Sequence, residues 1–243
     1  MKNTHKLLAL AAAVTALATS AFASTLVLNT NAYTDSYGGG EFTVNGSGLS
    51  TSAYAASTLL NGGFETFCME YGEHFSPGGT YSYTLGSAAT GGDLPSGSDP
   101  ISAGTAWLYS QFAKGTLVGY SYATTGTTRM SSALDLQLAF WYLEDETGTT
   151  PAYTTFAADH PGFNPSTNIF ITSALAQFGG LSGAKADANG MFGVSVLNLT
   201  SNEGQTNNQS QLYLNNVPES GATIALLGLA MVGLAGFRRK ASK

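Results

Sequence analysis

The sequence predicts an α+β fold: a β-sandwich or barrel with a helical insertion, followed by a C-terminal transmembrane helix. Three observations lead there. Short runs of β-branched and apolar residues between glycine and asparagine turns fill the first third and return after residue 190. Between them, from about residue 102 to 179, apolar residues recur at helical spacing. Gly221 to Phe237 then carries no charge over 17 residues, the lower limit for a membrane span, and Arg238, Arg239, Lys240 and Lys243 follow.

Taken in order, "MKNTHKLLALAAAVTALATSAFAS" has a basic start, an apolar stretch and a small-residue cleavage site, which predicts a signal peptide over residues 1–23. "STLVLNTNAY" and "GGEFTVNGS" read as strands. "GGFETFCMEY" is a strand with apolar residues on both faces, and "GGTYSYTLGS" could pair with it as a hairpin. The Gly/Ser/Pro-rich "SAATGGDLPSGSDPIS" reads as a loop. "SAGTAWLYSQFAKG", "RMSSALDLQLAFWYLEDETG" (capped by Ser131 or Ser132 and closed by Gly148) and "TNIFITSALAQFGG" read as helices. "GMFGVSVLNL" and "SQLYLN" return to strands. The organisation is a signal peptide at 1–23, one α+β domain at 24–216, and a tail at 217–243 whose helix spans 221–237.

Charge excludes some functions. Between Ser24 and Val217 only Lys114, Arg129 and Lys185 are basic, against 14 acidic residues, a net charge of −11. Such a body offers no electrostatic footprint for nucleic acid. The basic residues at the tail orient it towards the cytoplasm, with the body outside.

Val217, Pro218, Glu219, Ser220 and Gly221, then the glycine-rich apolar stretch, then Arg238, Arg239 and Lys240, resemble a VPDSG-type PEP-CTERM sorting signal, with Glu219 where aspartate is usual. The resemblance implies handling by an exosortase, export, and association with the cell surface or extracellular matrix, with transient or lasting anchoring in the inner membrane through the tail helix.

Cys68 is the only cysteine of the chain. Exported proteins usually pair their cysteines, so a lone thiol is a buried hydrophobe, an interchain disulfide, or something else. Gln137 is the second unusual residue, falling on the apolar face with Ala133, Leu136 and Phe140. A buried carboxamide needs hydrogen-bond partners. Either it bonds to a loop backbone, or Cys68 and Gln137 are joined as a thioester. In that chemistry the thiolate attacks the side-chain carbonyl, ammonia leaves, and a later amine or hydroxyl opens the bond. "TFCME" and "LQLAFWYL", with "TAWLYSQF" between them, resemble the signature segments of the Cys-Gln thioester domains of bacterial surface adhesins, over Phe64 to Glu146. This resemblance implies a single-turnover reactive adhesin, not an enzyme, whose partner is a surface amine or hydroxyl on protein or polysaccharide.

Other constellations are weaker. Glu70, Glu73 and His74 match no metal-ligand spacing and read as loop and strand-end polar residues, with Glu70 or His74 a candidate to orient the thioester. Asp93 and Asp99 could hold calcium through oxygen, but no EF-hand pattern exists. The run Glu144-Asp145-Glu146 reads as a solvated helix end, although the dipole disfavours acids there. Trp107, Tyr109, Trp141 and Tyr142 could line a sugar site, but their helical placement favours the core. With no GxSxG elbow, and only His74 and His160 after the signal peptide, a hydrolase has little support. No cofactor and no metal are expected. The alternative to the adhesin is a non-covalent structural or carbohydrate-binding protein of an exopolysaccharide matrix.

Overall fold

Strand β1 (Thr25–Thr34) starts the sheet because Leu26 and Leu28 alternate inward between more exposed neighbours. The computed structural model describes residues 24–35, 39–90, 97–147, 155–201 and 206–215. The expected signal peptide at 1–23 and the tail at 217–243 lie outside them. Among the described residues no helix is long and apolar enough to cross a membrane.

The main sheet holds seven strands in the order β3-β4-β2-β1-β5-β8-β9. The others are β2 (Gly40–Gly46), β3 (Leu59–Leu60), β4 (Gly63–Thr66), β5 (Gly79–Gly86), β8 (Val194–Ser201) and β9 (Thr206–Leu214). Every neighbouring pair in it is antiparallel. The residues after β4 turn back onto the far edge: Met69 N–H donates to Ser210 (3.0 Å), Leu212 N–H donates to Phe67 (3.1 Å), and Cys68 bridges Gln211. These pairings join the two ends of the sheet into a ring, the barrel alternative of the sequence reading, and leave little open edge there.

Between β7 (Ser98–Pro100) and β8 lies the helical insertion: α1 (Ala103–Ala113), α2 (Thr128–Leu143), α3 (Phe156–Asp159), α4 (Ile169–Phe178) and α5 (Leu181–Ala184). Helix α1 is capped by Ser102, whose Oγ accepts from Thr105 N–H, and α4 by Asn168, whose Oδ1 accepts from Phe170 and Ile171. Helix α4 closes on Gly179 in the left-handed conformation. Phe67 joins the layers, meeting Phe112 of α1 and Phe140 of α2 edge to face at 4.9 and 5.2 Å.

Several sequence readings are corrected. Strand β5 pairs with β1 and β8, not with β4 as a hairpin. Thr25–Leu28 aligns with Gly79–Ser82, so the apolar alternation of both strands serves one face, which a local hairpin could not provide. The Gly/Ser-rich stretch contains a short pair, β6 (Ala88–Thr90) with β7, because Asn198 of β8 accepts from Thr90 N–H and donates to Ala88. Helix α2 begins at Thr128, ahead of Ser131 and Ser132, and has no side-chain cap. Its start is instead held by Arg129, discussed below.

The acidic run is not a solvated face. Glu144 and Glu146 are buried and only Asp145 is exposed, where it pairs with Lys185. Glu144 accepts from Ser102 N–H (3.1 Å) and Ser102 Oγ (2.8 Å), at the start of α1. The acid that is unfavourable at the end of α2 therefore sits at the positive end of α1. Burial pushes its carboxyl up to about 8.

Candidate functional site at Cys68 and Gln137

Phe42–Thr66 is the last pair that β2 makes with β4. Two residues on, at Cys68, the strand on that side has departed, while the opposite side is held by β9 through Phe67 and Met69. The N–H and C=O of a strand residue point to the same side. Those of Cys68 would be buried without partners, a cost of roughly 1–3 kcal/mol each. Gln137 fills the gap: Cys68 N–H donates to Gln137 Oε1 (3.0 Å), and Gln137 Nε2 donates to Cys68 O (2.9 Å). The carboxamide, one donor and one acceptor on a planar group, stands in for a strand residue.

The two predicted residues are thus brought together, and both are fully buried. The contact is between the Gln137 side chain and the Cys68 backbone, which is also the loop-backbone bond of the alternative reading. The thiol accepts from Gln211 Nε2 at 3.5 Å. Burial pushes the thiol pKa far above its usual range, and the hydrogen bond from Gln211 opposes that rise. Gly39 lies over the pair: a Cβ there would sit 3.2 Å from both Gln137 Cγ and Trp141 Cη2. A side chain there would force its neighbours to give by a few tenths of an ångström.

Glu70 does not orient the thiol by a direct hydrogen bond. It is buried, and Gln209 Nε2 donates to its carbonyl at 2.9 Å. Its carboxyl is pushed up by burial and then by a hydrogen bond with Glu73. His74 is exposed, and its carbonyl accepts from Gln209 N–H. Asp93 lies outside the described residues; Asp99, in β7, is pushed up to about 6 by burial. Among the described residues no group of three or more His, Cys, Asp or Glu side chains could hold a metal ion. Tyr109 is core, whereas Trp107 and Tyr142 are half-buried against Phe178 and Phe163.

Sequence reasoning missed three groups. Gln211, the thiol's donor, sits in a polar stretch that carries no motif. Gly39 is one of three consecutive glycines, a signal of close backbone approach that could have been followed. The third is a charge network on the sheet face under α2: Arg129 pairs bidentately with Glu41 (2.7 and 2.7 Å), both fully buried. Tyr120 OH also donates to Glu41, and the guanidinium lies over Tyr33 at 4.4 Å. Glu65 accepts from Thr43 (2.8 Å) and Asn31, and burial, then Glu41, raises its carboxyl so that it is held protonated.

Residues 216–241 match the VPDSG-CTERM motif. The motif covers the expected sorting segment, including Val217, Pro218, Glu219, Ser220, Gly221, Arg238, Arg239 and Lys240, and supports an exported protein of the PEP-CTERM sorting type, processed by an exosortase. No curated protein and no solved structure matches the chain.

Proposed function

We propose that this exported protein is a covalent attachment domain in which Cys68 and Gln137 form a thioester that a surface amine or hydroxyl opens. The observation that carries this is the placement of the Gln137 carboxamide across the backbone of Cys68. Because that group bonds to both flanks of the Cys68 Cα, its carbonyl carbon faces the residue whose sulfur must attack it, a pre-paid orientation. The Cys68 N–H already donates to Oε1, where negative charge would develop. In the step, the Sγ–Cδ bond forms, the Cδ–Nε2 bond breaks, and the thiol proton leaves with the nitrogen as ammonia. The incoming nucleophile later bonds to Cδ as the Cδ–Sγ bond breaks, and the proton it loses returns to the freed sulfur. Full burial of both groups excludes hydrolytic water. The tail segment 221–237 would hold the domain at the inner membrane until sorting.

A second reading has its own support. Both polar atoms of the carboxamide have a partner without any covalent bond, and burial keeps the thiol protonated. Gln137 would then be a strap replacing the missing strand. Intact mass under native conditions separates the two: a deficit of one ammonia, abolished by Cys68→Ala, supports the thioester. Full mass, with Cys68 alkylated only after denaturation, supports the strap.

A further inference from the structure

A groove lies against α2, touching Trp141 in one part and Leu134, Asp135 and Leu138 in the other. It has two lobes of about 450 and 430 Å³, each within the ~300–1,000 Å³ range of small-ligand sites. Asp35 and Asp159 line both lobes, so the two adjoin. Its walls include aromatic rings: Tyr71 and Phe75, backed by the buried Trp141, in the first lobe and Phe163 in the second. Tyr71 is locked edge to face against Trp141 at 5.1 Å, so this wall is rigid. No lysine or arginine lines either lobe.

We propose that this groove is a saccharide-binding site that takes a segment of an uncharged, hydroxyl-rich polysaccharide. Charge disfavours the polyanions: a uronate polymer or a phosphate-bearing lipid would meet Asp35 and Asp159, with His74 and His160 as the only basic side chains among the lining residues. A sugar ring presents apolar C–H faces and a rim of hydroxyls. Aromatic walls take the faces, and carboxylates take the hydroxyls through charge-assisted hydrogen bonds. A lysine-rich segment would also be drawn to the acids, but Asp159 already accepts from the neutral Tyr71 hydroxyl. That carboxylate is set as an acceptor within a hydrogen-bond network and not left as an open counter-ion. Two lobes meeting at a shared pair of acids suit an extended chain of sugar units better than a single compact ligand.

This inference does not rest on the thioester. The test is calorimetric titration of the full chain with neutral oligosaccharides (dextran, xylan, mannan and β-glucan fragments), with hexalysine and oligogalacturonate as counter-probes. At least one neutral oligosaccharide is expected to bind. Phe75→Ala and Asp159→Asn, both at half-buried positions, are each expected to weaken it about tenfold or more, and Cys68→Ala to leave it unchanged. Absence of binding to every neutral fragment would overturn the proposal. So would preference for hexalysine or oligogalacturonate, or neutral-sugar binding indifferent to both groove variants. A thioester that fails the mass test leaves these outcomes untouched.

Discussion

Replacing Gln137 by leucine in a Cys68→Ala background isolates what the carboxamide does for the fold, since no covalent bond can form there. Leucine nearly matches glutamine in volume, so packing against Gly39 and Trp141 changes little. The Cys68 backbone N–H and C=O, bonded at 3.0 and 2.9 Å in the parent, become buried and unpaired. At about 1–3 kcal/mol per orphaned group, the loss is about 2–6 kcal/mol. With a urea slope of roughly 2 kcal/mol/M, a 3 kcal/mol loss lowers the midpoint by about 1.5 M. Urea unfolding followed by tryptophan fluorescence reads this directly. A loss under about 0.5 kcal/mol, with unchanged slope, would refute the strand-substitute role of Gln137.

The pH dependence of stability follows from the buried carboxyls. Glu144, Glu65 and Glu70 all titrate higher folded than unfolded, so the native state binds more protons and stability falls as pH rises. For Glu144 the window opens near its ordinary value of 4.5 and closes near 8, and at about 1.4 kcal/mol per unit it costs on the order of 3 kcal/mol between pH 5 and 8. Urea midpoints at pH 5 and 8 should differ accordingly, and Glu144→Gln should flatten the slope. Arg129→Met leaves Glu41 charged and buried, at a cost of about 3–5 kcal/mol, while Arg129→Met with Glu41→Gln should recover much of it in the same assay. Gly39→Ala places a methyl 3.2 Å from Gln137 Cγ and Trp141 Cη2, and should lower the melting temperature by a few degrees.

The sequence made the helices legible because their apolar period is local, although the caps that the structure shows, Ser102 and Asn168, were not among those read from it. The proximity of Cys68 and Gln137 was legible for a different reason: each residue is an anomaly in its own segment, and the flanking segments resemble those of a family that joins such a pair. The pairing of β5 with β1 and β8 was not, since apolar alternation marks a strand but not its neighbours. A backbone bond for Gln137 was one of the alternatives read from the sequence, but that its partner is the backbone of Cys68 was not, because the gap opens only where β2 leaves the ladder. Glu41 and Arg129 are 88 residues apart and each looks ordinary alone. The Glu144 cap was hidden likewise: an acid misplaced on its own helix is correct for another.

The central claim is that Cys68 and Gln137 form one reactive bond, and intact mass spectrometry of the natively purified protein and its Cys68→Ala variant tests it most directly. The account predicts a wild-type mass lower than the sequence by one ammonia, restored as an adduct when methylamine is added, and no deficit in the variant. A wild-type protein of full mass, inert to methylamine while folded, would contradict it.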